Sequence, residues 1–249
     1  MKSEDTGIFG KERIPKKDKF GRVDAVFETV AERYDLMNDL MSLGIHRLWK
    51  RYAVELLDLG KDQVVLDLAS GTGDISKIIG ASLPKGSLLF SCDPNFRMLS
   101  IGRDKGIDSG LIGGINHLCA RAESLPFADF SVDRGIIGFG LRNFTDIKSS
   151  LDELHRILDI GSRLVILEFS TVESPFLSKL YNLYSRNVIP TLGSIVAKDK
   201  ASYQYLVDSI KTHPDQESIK KMMEEAGFGR IEYFNILSGI VTIHVGFRL

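Results

Sequence analysis

A glycine-containing loop is the most informative motif in the sequence. Residues 64–74 read Val-Val-Leu-Asp-Leu-Ala-Ser-Gly-Thr-Gly-Asp, a short β-branched run followed by the loop and then by a helical pattern. At such a strand–helix junction, Gly71 and Gly73 allow a ligand to approach the backbone closely. Asp93 follows 20 residues after Gly73, at the predicted end of the next strand. A carboxylate at that place can accept both hydroxyl groups of a ribose.

The acids that flank this loop indicate which ribose-containing ligand it binds. A dinucleotide fingerprint reads G-x-G-x-x-G/A, but the third glycine position counted from Gly71 is Ser76. Asp67 and Asp74 would repel a pyrophosphate and would attract a ligand that carries an ammonium and a sulfonium. The loop therefore predicts S-adenosylmethionine as the cofactor and S-adenosylhomocysteine as the product. A strand–turn–helix that binds no ligand is the alternative.

Two further loops follow the predicted third and fourth strands. The segment 120–127, Ala-Arg-Ala-Glu-Ser-Leu-Pro-Phe, either contacts adenine or is a plain surface loop. The segment 138–144, Gly-Phe-Gly-Leu-Arg-Asn-Phe, is typical of a backbone bent around a small ligand. Its Arg142 is either a catalytic group or the partner of a structural ion pair, and the sequence alone leaves both interpretations open.

Metal chemistry and covalent catalysis have no support in the sequence. The histidines are scattered, and no His or Cys pair has the spacing of metal ligands. No G-x-S-x-G motif is present either. We therefore predict no metal site.

Strands and helices alternate along the part of the chain that carries these loops. Strands are predicted at 64–68, 87–92, 115–119, 135–139 and 163–169, and the helices between them include 95–105 and 147–158. This alternation predicts a mostly parallel sheet with helices on both faces. Ser238-Gly239 joins two alternating runs as a β-hairpin, so one antiparallel strand completes the sheet at the C-terminal end.

Length and composition are those of an ordinary globular protein. The chain has 249 residues, 43% of them hydrophobic and 26% charged, which excludes global disorder. The net charge of -1 argues against nucleic acid as a partner. Two cysteines form no disulfide framework and favour a reducing, cytoplasmic location. The longest apolar runs fall far short of the ~20 residues that a membrane span needs.

We predict a single domain over residues 23–249, in which 23–60 form a helical cap and 170–214 an apolar insertion. Residues 1–22 contain seven Lys or Arg and four Asp or Glu. They are predicted to form a basic, flexible tail or to make a weak contact with anionic lipid.

Several blocks of sequence resemble one family. Residues 34–50, Tyr-Asp-Leu-Met-Asn-Asp-Leu-Met-Ser-Leu-Gly-Ile-His-Arg-Leu-Trp-Lys, are similar to the first signature of the ubiquinone/menaquinone biosynthesis C-methyltransferases, the UbiE/MenG family. Residues 139–143, 167–170 and 203–216 are similar to that family too, and the similarity extends from about Val23 to the C-terminus. The resemblance implies a class I, Rossmann-like S-adenosylmethionine-dependent fold. It also implies C-methylation of a polyprenylated quinol ring in menaquinone or ubiquinone biosynthesis.

The resemblance places cofactor contacts on Thr72, on Asp93 and on the pair Arg121-Ala122. The family usually has Asn or Asp where Arg121 stands, and Arg has no acceptor for the adenine amino group. The backbone of Ala122 is therefore the expected adenine contact. Relatives often have Ser at the position of Gly138. The usual Lys-Pro-Gly-Gly before the fifth strand is Asp-Ile-Gly-Ser at 159–162, a change that we expect to concern a turn only.

The implied reaction needs a proton acceptor, because a ring carbon becomes nucleophilic when an adjacent hydroxyl is ionised. The candidates are Arg142, Tyr34, His46 and Glu168. Arginine stays protonated, so Arg142 is expected to stabilise the phenolate or to position a water. His46 titrates near neutral pH and either acts as the base or has a capping or core role.

The substrate and its surroundings leave several alternatives. Apolar residues of the insertion either line a groove for a polyprenyl tail or pack as an ordinary lid: Phe176, Leu180, Tyr181, Tyr184 and Ile189. A peripheral contact with the inner face of the membrane and a homodimer are both compatible with the sequence. Two other functions stay open, a methyltransferase for another small or lipophilic substrate and a non-catalytic subunit that keeps the nucleotide pocket.

Overall fold

A hairpin and three helices form the first part of the fold. The structure is a computed structural model, and it describes residues 6–111, 113–173 and 200–249. Its first elements are a hairpin of β1 (Thr6–Phe9) and β2 (Glu12–Pro15), then the helices α1 (Lys16–Val30), α2 (Tyr34–Ser42) and α3 (His46–Glu55). A single 3-10 turn, Ala31–Arg33, separates α1 from α2.

The prediction of a flexible tail at residues 1–22 is wrong for residues 6–22. Phe9 stacks on Tyr205 with ring centroids 4.5 Å apart, and Ile14 is buried. The Lys19 ammonium is buried as well and donates to the carbonyl of Phe144. These contacts hold the hairpin and the first turns of α1 against the rest of the domain. The number of charged residues in the segment does not predict them.

Strands and helices then alternate as predicted. The elements in chain order are β3 (Val64–Leu68), α4 (Asp74–Ser82), β4 (Leu88–Cys92), α5 (Phe96–Asp108), β5 (Asn116–Leu118), β6 (Val132–Gly138), α6 (Ile147–Ile157), β7 (Leu158–Phe169), α7 (Lys200–Thr212), α8 (Gln216–Glu225), β8 (Phe228–Ile236) and β9 (Val241–Arg248). Residues 159–162, expected in a turn, lie inside β7, which begins directly after α6. The residues predicted to line a groove for a lipid tail fall at 174–199, outside the described part of the chain.

Seven strands form the central sheet in the order β5-β4-β3-β6-β7-β9-β8. The ladders from β5 to β7 are parallel, and β9 runs antiparallel to both of its neighbours. This confirms the mostly parallel sheet with one antiparallel strand. The ends of three strands are in register, since Leu68 lies opposite both Cys92 and Ile137. The loops that follow β3, β4 and β6 therefore meet at one edge.

Apolar cores cover both faces of the sheet. One contains residues of α3, α4 and α7, such as Ala53, Ile79 and Leu206. The other contains residues of α6 and α8, such as Leu151 and Ile219. The sheet is thus a rigid middle layer whose edge can hold loops in fixed positions. In the described part of the chain, no helix has the length and apolarity required to cross a membrane.

Candidate active site

The loop between β3 and α4 has the backbone geometry that its glycines predict. Gly71 (φ 55°) and Gly73 (φ 77°) both adopt left-handed conformations. A Cβ on Gly73 would lie 3.4 Å from the Cα of Gly102 in α5, so this glycine permits close packing of the helix against the loop. Gly71 instead borders a cavity, and a Cβ on it would lie 3.3 Å from Met98 Cε.

Asp93 ends β4 and turns its carboxylate toward the glycine loop. Its Oδ2 accepts from the N–H of Gly71 at 2.9 Å, and its Oδ1 accepts from the N–H of Asn95 at 2.8 Å. Each oxygen keeps a second lone pair for another donor. Burial raises the pKa of Asp93 to about 6, although the two backbone N–H groups oppose that shift. The geometry therefore suits a carboxylate that accepts two further hydroxyl groups.

A cavity, here called the main cavity, opens beside Asp93. It contains about 690 Å³ of space between atoms, including the part open to solvent. Its floor includes Gly71, Asp93 and Ala122, and its roof is the apolar side of α1 with Phe20 and Phe27. The structure thus brings four predicted cofactor residues to one cavity: Gly71, Asp93, Arg121 and Ala122.

The side chain of Arg121 fastens α1 to the cavity. Its guanidinium carbon lies 4.4 Å from the ring centroid of Phe20, and Nη2 donates to the hydroxyl of Thr145 at 3.2 Å. Its Nε also lies 3.4 Å from the Glu123 carboxylate. With its guanidinium engaged in this way, Arg121 shapes the wall, while the buried Ala122 presents the backbone.

A second, smaller cavity of about 320 Å³ lies on the other side of the loop. Tyr34, Ala69 and Phe139 line both cavities, so the two are neighbours. Thr72, which lines the small cavity, donates its hydroxyl to Asp35 Oδ1 at 2.6 Å. Thr72 therefore ties α2 to the glycine loop.

Of the two carboxylates predicted to attract a cation, Asp67 and Asp74, one is already neutralised. The Lys50 ammonium donates to Asp74 Oδ2 at 2.7 Å. Burial alone would raise the pKa of Asp74, but Lys50 outweighs it and lowers the pKa. Asp67 Oδ2 accepts from the hydroxyl of Ser76 at 2.6 Å, whereas its buried Oδ1 has no hydrogen-bond partner among the described residues. Because Asp74 is paired and Asp67 Oδ1 is not, Asp67 is the carboxylate with a free oxygen for a cation. Burial raises the pKa of Asp67 to about 7.

Tyr34, the first residue of α2, stands where the two cavities meet. Its ring packs edge-on against Phe27 at 5.9 Å between centroids. Burial raises the pKa of Tyr34 to about 12, against the opposing effect of the nearby Arg142 guanidinium. The phenol therefore stays protonated at neutral pH and acts as a hydrogen-bond donor more readily than as a base.

Arg142 forms a buried ion pair, which was one of its two interpretations from sequence. Its Nη1 donates to Glu168 Oε1 at 2.6 Å and to the carbonyl of Phe139 at 2.6 Å. The side chains of Arg142 and Glu168 are only 4% and 1% exposed. Glu168 Oε1 also accepts from the N–H of Phe169, so the carboxylate has little freedom to act as a base. Arg142 Nε is buried without a hydrogen-bond partner among the described residues.

The structure does not place His46 at either cavity. Its Nε2 lies 2.9 Å from Asp39 Oδ1, which ties α3 to α2. Burial and the Lys50 ammonium lower the pKa of His46 below its usual value despite Asp39. The imidazole borders a separate surface groove instead. These contacts are those of a structural residue, which is the alternative to the predicted role of His46 as a catalytic base.

His213 has no predicted role in the sequence analysis, but its environment is unusual. Both ring nitrogens are buried without a hydrogen-bond partner among the described residues. Burial lowers its pKa to about 4, although the nearby Glu168 carboxylate opposes the shift. His213 borders a third cavity together with Arg142 and Lys19. The His-Pro-Asp block at 213–215 was visible in the sequence, but its chemistry depends on these distant neighbours.

Comparison with known proteins identifies the family. The model of the ubiE/COQ5 methyltransferase family matches residues 15–248. The chain belongs to this family. It is 46% identical over 99% of its length to a ubiquinone/menaquinone biosynthesis C-methyltransferase UbiE of Hydrogenovibrio crunogenus, 97% of which is covered. It is 48% identical to the protein of the same name from Methylococcus capsulatus, with 99% of each chain covered.

Solved structures support the fold of the family. A SAM-dependent methyltransferase from Thermotoga maritima, described as a possible histamine N-methyltransferase, matches with a TM-score of 0.63 and 19% identity. The match covers 91% of this chain and 100% of that one. The class I, Rossmann-like methyltransferase fold that the resemblance implied is thus confirmed.

Proposed function

We propose that the protein transfers a methyl group from S-adenosylmethionine to a ring carbon of a polyprenylated quinol. The reaction would convert demethylmenaquinol to menaquinol, methylate 2-methoxy-6-polyprenyl-1,4-benzoquinol, or do both. The main support is the pair of neighbouring cavities around Asp93 and Asp67, in a chain that belongs to the ubiE/COQ5 family. The two relatives described above are named for C-methylation in ubiquinone and menaquinone biosynthesis.

The residues present fit the proposed cofactor. Asp93 has one free acceptor site on each carboxylate oxygen for the two ribose hydroxyls. The backbone of Ala122 lines the main cavity, where it would contact adenine. The unpartnered Oδ1 of Asp67 would accept from the ammonium of the methionine part. That oxygen is an orphan in the structure, and a bound ammonium would satisfy it.

The protein must exclude water from the reacting groups and align them. When bound, the cofactor supplies an electron-poor methyl carbon on a sulfonium. Tyr34 and Phe139 line both cavities, and Phe169 packs on Phe139 with centroids 4.8 Å apart. These aromatic walls exclude water, which strengthens electrostatic interactions inside the site. The protonated hydroxyl of Tyr34 would donate a hydrogen bond to the ring oxygen.

Arg142 would stabilise the negative charge that develops on the quinol. Its Nη1 is occupied by Glu168, but its Nε is a buried donor for which the described residues provide no partner. A cation that cannot lose its proton is suited to hold a phenolate and unsuited to be the base. The ion pair with Glu168 fixes the guanidinium in advance, so little reorganisation accompanies the reaction.

We assign to His213 the acceptance of the proton from the quinol hydroxyl. After the methyl group is attached, the hydrogen of the methylated carbon moves as a proton to that oxygen, and the ring becomes aromatic again. Among the described residues, the imidazole of His213 combines two unpartnered nitrogens with proximity to Arg142 and Glu168. A pKa of about 4 keeps the ring neutral at pH 7, so one ring nitrogen has a free lone pair for a proton, and the nearby Glu168 carboxylate favours the protonated ring. Substituting His213→Gln should lower turnover while the affinity for S-adenosylhomocysteine stays as in the wild type. Unchanged turnover would remove His213 from the reaction.

Two measurements test the function as a whole. Isothermal titration with S-adenosylhomocysteine should show binding, and failure to bind would favour a non-catalytic subunit. Quinones extracted from a strain that lacks the protein should include a demethylated species, whose structure names the substrate. A normal quinone profile in that strain would favour a methyltransferase for another lipophilic compound.

A further inference from the structure

The outer side of α2 and α3 carries large apolar side chains in water. Five of them, here called the α2–α3 apolar face, are exposed: Leu36, Leu43, Ile45, Leu48 and Tyr52. Ile45, Leu48 and Tyr52 follow one another at spacings of three and four, so they lie along one side of α3. Leu36 and Leu43 are seven residues apart and share one side of α2. The turn at 43–45 joins the two groups.

A leucine at position 43, at the tip of this face, does little for the stability of the fold. It is 75% exposed, so it gains little from packing. It also ends α2 in a left-handed conformation, with φ 52° and ψ 34°. That conformation favours glycine or asparagine and disfavours a branched apolar residue. The position therefore has a residue that neither local conformation nor packing explains, which points to a contact made by the side chain.

The groove beside this face is positively charged. It is lined by four cationic side chains and two carboxylates: Arg47, Lys50, Arg51, Lys77, Asp35 and Asp74. Two of the cations are already engaged, Arg47 with Asp39 and Lys50 with Asp74. For Arg51 and Lys77, the described part of the chain contains no ion-pair partner within 4.0 Å. An apolar face with unneutralised cations at its edge has the chemistry of a surface that binds anionic lipid.

The inner sides of the same helices contact the cofactor loop. Asp35 accepts from Thr72, and Lys50 donates to Asp74. Tyr34 lies at the site, and Leu43 is nine residues further along α2, about 13 Å at 1.5 Å per residue. A surface bound at Leu43 would therefore lie close to the position where the quinol ring must enter.

We propose that the α2–α3 apolar face docks the protein on a bilayer that contains anionic lipid. The proposal rests on the proposed function to the extent that a polyprenylated quinol is itself held in the bilayer. Leu43 and Leu48 insert among the headgroups and upper acyl chains, and Arg51 and Lys77 contact lipid phosphates. The enzyme thereby meets its substrate at a fixed orientation.

The test is co-sedimentation of the full-length protein with quinol-free vesicles of phosphatidylcholine containing phosphatidylglycerol. We expect Leu48→Gln and Leu43→Asn each to weaken binding about tenfold, the effect of withdrawing one leucine from an apolar environment. Leu88→Gln is the matched control, because Leu88 is 50% exposed at the opposite edge of the sheet, and it should bind like the wild type. Leu43→Asn should also keep or raise the melting temperature, since Asn suits the left-handed position. Arg51→Gln should reduce the dependence on phosphatidylglycerol.

Three results would overturn the proposal. One is a wild-type protein that does not sediment with these vesicles. Another is equal binding by the wild type and Leu48→Gln, which would assign any lipid contact to another surface, such as the basic N-terminal residues. The third is a smaller mass for Leu48→Gln by light scattering without lipid, which would make the face an interface between two copies. Methylation of a short-tailed quinol in solution is measured in parallel. If Leu48→Gln loses vesicle binding but neither the wild type nor any variant methylates the quinol, the proposed function is refuted and the docking surface stands.

Discussion

Asp93→Asn is expected to separate cofactor binding from folding. In the wild type, the two carboxylate oxygens accept from the N–H groups of Gly71 and Asn95 and keep two acceptor sites for the ribose. Asparagine has the same shape but no charge, and it replaces one acceptor oxygen with a donor. One backbone N–H and one ribose hydroxyl then face an NH₂ group, and the remaining hydrogen bonds lose their charge assistance.

The size of the effect follows from the number of bonds. Hydrogen bonds to a charged group contribute about 1.5–3 kcal/mol each and neutral ones about 0.5–1.5 kcal/mol, so losing one ribose bond and weakening the other amounts to about 2.5–4.5 kcal/mol. This corresponds to an affinity loss of about 10²–10³-fold. Stability should change much less. The unsatisfied backbone N–H costs about 1–3 kcal/mol, but a buried carboxylate whose pKa is raised to about 6 is itself unfavourable when ionised.

Isothermal titration with S-adenosylhomocysteine measures the affinity, and calorimetry of the same preparation measures the melting temperature. Asp133→Asn is the matched control. Its Oδ2 accepts from the N–H of Val64 at 2.8 Å, at the opposite end of β3, so it should affect stability without affecting the cofactor. An Asp93→Asn protein that binds with wild-type affinity would refute the ribose assignment. Equal losses of affinity in both variants would instead indicate a general disturbance of the sheet.

Three further predictions test the site. Arg142→Gln should lower turnover about 10²–10³-fold and stability by about 3–5 kcal/mol, because it leaves the Glu168 carboxylate buried and unpaired. Adding Glu168→Gln should restore the melting temperature only, and restored turnover would make Arg142 purely structural. Asp67 accepts the proposed ammonium only when ionised, so the affinity for S-adenosylhomocysteine should fall as the pH drops through about 7, and titrations of Asp67→Asn should show no such fall. Gly138→Ser should cost about 1–3 kcal/mol in a denaturant titration, because a Cβ there would lie 2.2 Å from Ile75 Cδ1. Ile75→Val should recover part of that loss, and its failure to do so would place the strain elsewhere.

Local patterns in the sequence predicted much of the fold and several residues that line the main cavity. The apolar run of β3, the glycine loop and Asp93 follow each other at short separations, and each has a direct structural meaning in a parallel sheet. The order of the elements was therefore predictable. The start of β7 was not, because the chain passes from α6 into the strand at Leu158 without a turn.

Contacts between residues that are far apart in the sequence could not be predicted from these patterns. Arg142 and Glu168 are 26 residues apart, and Lys50 and Asp74 are 24 apart. Which of several acids an Arg or Lys meets depends on how the sheet places the loops after each strand. The same holds for the N-terminal hairpin, where Phe9 packs on a ring nearly two hundred residues away along the chain. Composition predicts a solvated tail there, but the contact that orders it is tertiary.

Two hydrogen bonds between the helical cap and the glycine loop connect the proposed docking surface with the proposed cofactor site. Asp35 bonds to Thr72 and Lys50 to Asp74, and both bonds join α2 or α3 to the residues around the loop. Both bonds are partly buried, so water would replace the partners of misaligned groups only in part, whereas apolar packing can slide by the same distance with less loss. The orientation of α2 and α3 is therefore fixed relative to the cofactor site more firmly than apolar contacts alone would fix it. A bilayer docked on their outer side would then present the quinol ring at a constant depth, and a long lipid tail could stay in the membrane while the ring reacts.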